Sequence, residues 1–483
     1  MKFYITTSIP YVNGAPHIGH ALETVQADAI ARFYRQRGWA VFFLTGTDEH
    51  GTKIARAAEI AGKNTQDFVD GISGQFRNFK DGLNLSWDDF IRTTDQKRHW
   101  PGAQATWQAL VAKGDIYKKS YKGLYCVGHE AFVTERDLVD GKCRDHQKTP
   151  ELIEEENYFF KLSKYIPEIE LRIKKDELRI LPEGKKNEVL GLIKEGVEDI
   201  SFSRPKKSLS WGIPVPDDDS QTMYVWCDAL TNYISALGYG SNDDALFRKF
   251  WPADAHIIGK DILRFHALIW PAMLLSADLE LPKALLVHGH VTADGQKMSK
   301  TIGNVVDPFE AVKKYGVDPL RYYLLREIPS GEDGDFSYAK VKERYNGDLA
   351  NGLGNFAARV TTLAEKLDLS SYAVEPAIEK EISSIRDEAA KKVLEFKLHE
   401  ALAKIFELVK IGDQLLNERQ PWKNSDSSKS GSDLYSLIVI LDNVAALVAP
   451  FLPETAEKIQ ECIHWKDDKL SVKKCSGLFP RME

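Results

Sequence analysis

Strand and helix signals alternate along the first part of this 483-residue sequence, and this alternation limits the possible fold more than any other feature. Residues 3–7 and 39–44 are short apolar runs, and residues 21–37 between them carry apolar side chains at helical spacing. Strands that alternate with helices pair in parallel, because each helix returns the chain to the same end of the sheet. The sequence therefore predicts an α/β domain built on a parallel sheet.

The alternation is interrupted between residues 117 and 214, where charged residues, glycines and short apolar runs dominate. Apolar runs at residues 224–227, 255–258 and 284–288 then restore the strand–helix pattern. We therefore expect one α/β domain divided by an inserted subdomain, with its halves at residues 1–115 and 216–333 and the insertion at 116–215.

Strand signals fade after about residue 334, and helical patterns replace them. Leu394, Leu398, Leu402, Ile405 and Val409 form one apolar stripe, and residues 434–448 form another. A polar segment at residues 425–433 predicts a loop between the two helices. Residues 334–483 are therefore expected to form an all-α helix bundle.

Composition excludes several classes of protein. The formal net charge of −7 argues against nonspecific binding of nucleic acid over the whole surface. Five cysteines in so long a chain do not form a disulfide framework. The apolar stretch at residues 434–452 is broken by Asp442, Asn443 and Pro450, so we interpret it as a buried helix. With no signal peptide at the N-terminus, we expect a cytoplasmic protein without a membrane segment.

The segment PYVNGAPHIGH, residues 10–20, lies where the first strand gives way to the first helix. Such a turn gathers backbone N–H groups and the positive end of the helix dipole, and Gly14 and Gly19 allow close approach of a ligand. His17 and His20 could there donate hydrogen bonds to a phosphate group. Alternatively, the two histidines only cap the helix. Neither GxxxxGK[ST] nor GxGxxG is present, so this phosphate site would belong to another class.

A second motif, DGQKMSKT at residues 294–301, places Lys297 and Lys300 after an Asp-Gly turn. Two lysines on a glycine-hinged loop suit the β- and γ-phosphates of a nucleoside triphosphate. A KxxK pattern alone is weak evidence. HIGH and KMSK in the two halves of one divided α/β domain form a specific combination.

With these two motifs, the sequence is identified as a member of the class I aminoacyl-tRNA synthetases, and it resembles methionyl-tRNA synthetase along essentially its whole length. The resemblance rests on PYVNGAPHIGH, GTDEHGTK, YVWCDALTNY, GKDILRFH, VHGHVTADGQKMSK and NERQPW. Thr301 departs from the usual KMSKS but keeps a hydroxyl group. The resemblance implies a split Rossmann-type catalytic domain with an inserted zinc-knuckle subdomain. A stem-contact segment and a helical anticodon-binding domain would follow over residues 334–483. It also implies ATP-dependent activation of methionine and transfer to tRNA(Met).

The resemblance also implies the residues of the catalytic site. His17, His20, Lys297 and Lys300 would stabilise the reacting phosphates, with Mg²⁺. Further ATP contacts would come from Gly19, Gly259, Lys260, Asp261, His288, Gly289, Met298 and Ser299. Methionine would be bound by Ile9, Tyr11, Asp48, Trp226, Ala229, Leu230, Tyr233, Ile262, Phe265 and His266. Leu230 stands where the family frequently has proline, and residues such as Trp226 and Tyr233 would be ordinary core residues in most proteins.

The insertion carries two Cys-x2-His pairs, Cys126 with His129 and Cys143 with His146. Four such ligands in two close pairs suit tetrahedral Zn²⁺, and the alternative is a chance grouping. His129 stands where a better-known form of the family's knuckle has cysteine. Histidine remains a competent ligand.

The helical region contains Asn355 and Arg359, four residues apart and hence on one helix face, and Trp422 after Pro421. By resemblance, Asn355 and Arg359 read the edges of anticodon bases, and Trp422 stacks on the first of them. Without the resemblance, Trp422 would be a helix-packing anchor. No appended tRNA-binding dimerisation module is recognised, so we expect a monomer.

Three other functions remain open from the residues. A cysteinyl-type class I synthetase of similar size would place zinc ligands in the amino-acid pocket, whereas Trp226 and Tyr233 favour a larger apolar substrate. A noncatalytic tRNA-binding relative would not require the intact motif histidines and lysines. A small nucleotidyltransferase with a HIGH motif would lack the helical C-terminal third.

Overall fold

The computed structural model describes residues 1–129, 131–133, 137–144, 147–298, 303–365, 367–369, 371–423, 427–466, 469–475 and 477–482. Two compact units are present. The first unit comprises residues 1–16, 37–80 and 86–288, and the second comprises residues 17–36, 81–85 and 289–483.

The strands are, in chain order, β1 (Lys2–Thr7), β2 (Ala40–Thr47), β3 (Asp89–Arg92), β4 (Ile116–Cys126), β5 (Ala131–Val133), β6 (Leu138–Val139), β7 (Lys142–Cys143), β8 (Glu151–Phe160), β9 (Arg179–Leu181), β10 (Ile200–Ser201), β11 (Ser203–Pro205), β12 (Pro214–Val215), β13 (Asp218–Met223), β14 (Ala255–Gly259), β15 (Ala284–His288), β16 (Val291–Ala293), β17 (Gln296–Lys297), β18 (Gly334–Phe336), β19 (Ile463–Lys466) and β20 (Lys469–Val472).

The α-helices are α1 (Ile18–Gln36), α2 (Thr52–Ile60), α3 (Thr65–Arg77), α4 (Phe79–Gly82), α5 (Trp100–Ala112), α6 (Ile166–Lys174), α7 (Glu183–Glu195), α8 (Val225–Leu230), α9 (Asn232–Ser235), α10 (Ala245–Phe250), α11 (Trp270–Ser276), α12 (Pro308–Tyr315), α13 (Val317–Arg326), α14 (Tyr338–Arg344), α15 (Asn355–Ala364), α16 (Pro376–Leu394), α17 (Leu398–Arg419), α18 (Ser427–Val448) and α19 (Pro453–Gln460). Short 3₁₀ turns lie at Leu162–Tyr165, Lys260–Ile262 and Pro421–Lys423, and π-helical segments at Phe265–Ile269 and Tyr345–Gly354.

The first unit is built on the predicted parallel sheet, which has six strands in the order β3-β2-β1-β14-β15-β9. All its neighbouring strands pair in parallel, and β1 is buried on both faces, as expected for a sheet covered by helices. The α/β prediction is therefore confirmed. The edge strand β9 pairs with β15, although its sequence lies within the stretch that we assign to the insertion.

The insertion forms an antiparallel sheet in the order β10-β8-β4-β5. A separate antiparallel sheet, β11-β13-β12, follows it. The strand predicted at residues 224–227 is wrong, because the strand β13 ends at Met223 and residues 225–230 are helical. These residues are buried on every side, and an apolar run of that kind has the same pattern in a strand and in a buried helix.

The second unit is mainly helical after residue 337, which confirms the predicted helical C-terminal region. The expectation that residues 334–483 are all-α is wrong, because β18 and the β19–β20 hairpin lie within this range. The apolar stripe at residues 394–409 does not form one helix, because Phe396 has a left-handed backbone (φ 60°) between α16 and α17. Residues 427–433 of the predicted loop at 425–433 are helical instead, since α18 begins at Ser427, and residues 425 and 426 lie outside the described residues.

Helix α18 contains a long apolar stretch, Ser428–Val448, with a mean hydropathy of 1.5. Among the described residues, no other helix has the length and composition to cross a membrane. In its most apolar window of 18 residues, 61% of the residues are buried inside the protein, as we expected for a helix of the core.

Arg321 on α13 is a fully buried cation that joins several segments of the second unit. Its guanidinium donates to Asp28 Oδ2 on α1 at 2.7 Å and to the carbonyl oxygens of Phe451 at 2.8 Å and Leu83 at 3.1 Å. Asp28 also accepts from Arg32 Nε at 2.8 Å. Because α1 begins within the HIGH motif, this ion pair fixes the helix that carries the motif.

We expect Arg321→Met to destabilise the protein by about 3–5 kcal/mol, because it leaves the Asp28 carboxylate buried without its main cationic partner. The measurement is the urea concentration at the midpoint of unfolding. Arg32→Met is the matched control, since Arg32 binds the same carboxylate but its side chain is 22% exposed. Equal midpoints for the two variants would contradict this role of Arg321.

Candidate functional site

The loops that follow β1 and β2 continue the parallel pairing of these strands toward the carboxyl edge of the sheet. Tyr11 and Asp48 form an isolated parallel bridge, in which Val12 N donates to Asp48 O at 3.1 Å and Asp48 N to Pro10 O at 3.0 Å. Asp48 is only 2% exposed. The sheet therefore holds a buried carboxylate beside a tyrosine at the edge where ligands bind in α/β proteins.

Aromatic rings from three segments form a cluster in the first unit. Trp226 of α8 stacks on Phe265 with ring centroids 3.8 Å apart and an interplanar angle of 6°. Tyr11 and His266 both meet the indole edge-on, at 6.2 Å and 6.3 Å. Four of the residues predicted to bind methionine therefore lie together.

His266 is held in one tautomer by two hydrogen bonds. Its Nδ1–H donates to the carbonyl oxygen of Ile262 at 2.9 Å, so Nε2 accepts from the hydroxyl of Tyr233 at 2.8 Å. Burial lowers the pKa of His266 to about 4, although the bond to the Ile262 carbonyl opposes this shift. The imidazole is therefore neutral at physiological pH.

The other residues predicted to bind methionine lie on or beside the segments that carry the aromatic cluster. Ala229 and Leu230 are buried on α8, while Ile9 and Ile262 are partly buried against the same core. Phe265 and His266 begin a π-helical segment, a rare local structure that is frequent at functional sites. The sequence carried no signal for this segment.

The predicted nucleotide contacts of the first unit follow β14 and β15. Gly259 ends β14 and pairs in register with His288, which ends β15. Lys260 and Asp261 lie in the 3₁₀ turn that follows Gly259. A parallel sheet thus brings these separate segments to one edge.

Gly289 belongs to the second unit, where a side chain at its position would overlap the backbone of Glu332 and Asp333. His290 N donates to Asp333 Oδ1 at 2.8 Å, which holds this crossing of two chain segments together. Glycine at position 289 is therefore required by packing.

His17 and His20 stack on each other at the start of α1, with ring centroids 3.8 Å apart. The backbone N–H of His17 donates to His20 Nδ1 at 3.1 Å, and that of Gly19 donates to His17 Nδ1 at 3.1 Å. A Cβ atom at Gly19 would lie 3.0 Å from His17 Cε1, so glycine leaves room for the ring. Since both Nδ1 atoms accept, each neutral imidazole carries its proton on Nε2 and acts there as a donor.

Lys297 is exposed on β17, which pairs with β16 through an Asp294–Gly295 turn in which both residues have positive φ. Asp335 Oδ1 fixes this turn by accepting from Gly295 N at 2.7 Å and Thr292 Oγ1 at 2.6 Å. Met298 follows Lys297. Ser299 and Lys300, which we predict to bind ATP and its phosphates, lie outside the described residues.

Three of the four predicted metal ligands lie together in the insertion. The ligand atoms of Cys126, His129 and Cys143 are all within 4.8 Å of one another, and Cys143 Sγ lies 3.6 Å from His129 Nδ1. Both cysteines are buried. Two sulfurs and one imidazole nitrogen fit three corners of a tetrahedral zinc site. His146, the predicted fourth ligand, lies outside the described residues.

The predicted nucleic-acid contacts lie on α15 and in the 3₁₀ turn that follows α17. Trp422 is 46% exposed, and the guanidinium carbon of Arg359 lies 5.7 Å from the centre of its ring. Arg359 also donates to Asp413 Oδ1 at 3.0 Å and Asn417 Oδ1 at 2.8 Å, and Asn355 is exposed. Sequence reasoning missed Asp413 and Asn417, which hold Arg359 beside the indole.

The π-helical segment Tyr345–Gly354 ends directly before Asn355. It is the second such segment to adjoin predicted binding residues. Such segments are rare and frequently lie at functional sites, and the helical periodicity of the sequence indicates neither of them.

Comparison with known proteins also shows similarity to methionyl-tRNA synthetases along the chain. The family model described as tRNA synthetases class I (M) matches residues 3–146 and 135–361. A methionine–tRNA ligase of Brucella suis biovar 1 is 44% identical over 481 residues, covering 97% of this chain and 93% of that protein.

Solved structures agree with this result. The Mycobacterium tuberculosis methionyl-tRNA synthetase in complex with methionyl-adenylate superimposes with a TM-score of 0.92 at 38% identity, covering 99% of this chain and 100% of that one. The free form of the Mycobacterium tuberculosis enzyme gives a TM-score of 0.83 at 34% identity, covering 100% and 98%.

Proposed function

This chain belongs to the class I methionyl-tRNA synthetases, and we propose that it activates methionine with ATP and transfers it to tRNA(Met). In the first step the methionine carboxylate attacks the α-phosphorus of ATP, and pyrophosphate leaves. In the second, a hydroxyl of the terminal tRNA ribose attacks the carbonyl carbon of methionyl-adenylate, and AMP leaves. The observation that supports methionine most directly is the aromatic cluster around Trp226, with the Asp48 carboxylate on the same sheet edge.

We propose that Asp48 binds the ammonium group of methionine and that the cluster of Tyr11, Trp226, Phe265 and His266 binds its thioether. A buried carboxylate gains most from a cation that reaches it in a site shielded from water. Sulfur makes favourable contacts with the edges of aromatic rings. The neutral His266 places no charge beside an apolar substrate.

The nucleophile of the first step is already a carboxylate, so no general base is required. We propose that His17 and His20 stabilise the α-phosphate through their Nε2–H donors as its charge grows, and that Lys297 and Lys300 bind the departing phosphates. The backbone N–H bonds to both Nδ1 atoms support this role, because they orient the two donors before ATP binds. Mg²⁺ bound to the triphosphate would supply further charge neutralisation. Ser299 and Met298 would contact ATP through the same loop.

For adenosine, we propose contacts from the turns that end β14 and β15. Gly259, Lys260, Asp261 and His288 lie on these turns in the first unit. We also propose, from the resemblance alone, that Gly19 and Gly289 contact ATP through their backbone.

In the insertion we propose a structural Zn²⁺ bound by Cys126, His129, Cys143 and His146. The convergence of the three described ligand atoms supports it. Such an ion would join the end of β4 to β7, where the buried apolar cluster among the described residues consists of Cys126, Val133 and Cys143.

The helical region is proposed to recognise the anticodon, with Asn355 and Arg359 at base edges and Trp422 as a stacking surface. We propose that the protein acts as a monomer in the cytoplasm, where tRNA, ATP and methionine are available.

The reaction is tested by ATP–pyrophosphate exchange with each of the twenty amino acids, cysteine included, and methionine should dominate. We expect His20→Ala to lower kcat at least roughly 100-fold, because it removes one donor to the charge that develops on the phosphate. His20→Gln should retain more activity than His20→Asn, since the amide nitrogen of glutamine lies near the position of Nε2. Exchange driven equally by other amino acids, or undiminished in His20→Ala, would refute the proposal.

Recognition of tRNA is tested with Trp422→Ala. We expect kcat/KM for tRNA to fall by roughly 10- to 100-fold, because one stacked base is worth about 1–3 kcal/mol. Exchange without tRNA should stay within about twofold, since activation does not use the anticodon. Trp465→Ala is the matched control, because Trp465 is 43% exposed in the same unit. Equal losses in both steps would indicate a folding defect.

Metal content is tested by elemental analysis of chelator-treated, desalted protein, which we expect to retain about one zinc per chain. Cys143→Ser should lose the metal because it removes a thiolate ligand, whereas Cys462→Ser, outside the cluster, should keep it. Wild-type protein without zinc would eliminate this site.

A further inference from the structure

Asp228 on α8 is a buried carboxylate whose two oxygens are each bound by a different histidine. His50 Nδ1 lies 2.6 Å from Asp228 Oδ2, and His99 Nε2 lies 2.7 Å from Oδ1. The side chains are 1% exposed for Asp228, 4% for His50 and none for His99. None of these three residues carries a role in the function proposed above.

The network continues from His99 to α9. The Nε2–H group of His99 donates to the carboxylate, and its Nδ1 is hydrogen-bonded to the Ser235 hydroxyl at 2.8 Å. Gly102 on α5 packs directly on Ser235, where a Cβ atom would lie 2.5 Å from the serine Cβ. The helix that follows His99 therefore lies against the backbone of α9.

Three of the four residues of this network lie two positions after a proposed methionine contact. His50 follows Asp48, Asp228 follows Trp226, and Ser235 follows Tyr233, in each case with one residue between them. His50 N also donates to Asp48 Oδ1 at 3.4 Å. The buried network thus connects the three chain segments that carry Asp48, Trp226 and Tyr233.

The ionised carboxylate is retained only because its partners are present. Burial alone would raise the pKa of Asp228, but the charge and hydrogen bonds of His50 and His99 hold it below its usual value. Removing one histidine leaves a carboxylate oxygen unsatisfied in the core, and α8 must then shift to reach another donor or water. Any such shift moves Trp226, because α8 has only six residues.

We propose that Asp228, His50, His99 and Ser235 are positioning residues of the methionine site. They set the affinity for the amino acid by holding Asp48, Trp226 and Tyr233 in register, without touching the substrate. This inference rests on the proposed function, because it requires that those three residues bind methionine.

The experiment compares steady-state ATP–pyrophosphate exchange of the full chain carrying Asp228→Asn, His99→Ala or His99→Gln. We expect the KM for methionine to rise roughly tenfold or more in Asp228→Asn and His99→Ala, because a small displacement of a bound group weakens its contacts severely. The KM for ATP should stay within about twofold. His99→Gln should restore most of the methionine affinity, since its amide N–H lies near the position of Nε2–H.

Asp115→Asn is the matched control for the loss of a buried carboxylate. Asp115 is 1% exposed and accepts from Lys164 Nζ at 2.6 Å and Ser276 Oγ at 2.8 Å, yet it shares no partner with the network. Asp115→Asn should lower the melting temperature and leave the KM for methionine unchanged.

Two outcomes would overturn the inference. One is an unchanged KM for methionine in the variants of the network, with only the melting temperature lowered as in Asp115→Asn. The other is equal loss in His99→Gln and His99→Ala. If Asp228→Asn does not fold, the two variants of His99 decide the result. Wild-type protein without methionine-dependent exchange would instead refute the proposed function itself.

Discussion

Parallel hydrogen bonding between β1 and its neighbours β2 and β14 is the constraint on which the rest of the first unit depends. Parallel strands end at the same edge of a sheet, so the loops after them converge however far apart they lie in sequence. The bridge between Tyr11 and Asp48 extends this pairing beyond the strands themselves. Parallel pairing therefore brings the Asp48 carboxylate, the Tyr11 side chain and the turn after Gly259 to one edge of the sheet.

His17, His20 and His266 are each oriented by a hydrogen bond between a ring nitrogen and the backbone. His17 and His20 accept backbone N–H bonds at Nδ1, whereas His266 donates from Nδ1 to a carbonyl. The same side chain thus presents a donor at Nε2 in the first case and an acceptor in the second. In the buried network, Asp228 selects the donating nitrogen of His50 and of His99 instead. The hydrogen bond that one ring nitrogen makes therefore determines whether the other nitrogen donates or accepts.

Predictions from the sequence were confirmed where a periodic pattern or a motif is compatible with only one structure. They were wrong where the pattern fits two structures equally well. The strands at residues 255–258 and 284–288 were found because alternation with helices requires a parallel sheet. Residues 224–227 were misassigned because a short, wholly buried apolar run fits a strand and a helix equally well. The break at Phe396 was missed because apolar spacing on both sides of it continues one stripe.

The sequence alone determined the α/β class, the helical C-terminal region and the family, because these depend on local periodicity and on motifs of fixed spacing. Only the tertiary structure decided that β9 joins the parallel sheet and that Arg321 is buried against Asp28. It also decided that Asp228 is shared by two histidines. These pairings join residues that are far apart in the chain. A buried polar residue requires a hydrogen-bond partner, but the periodicity of the sequence does not indicate which residue that partner is.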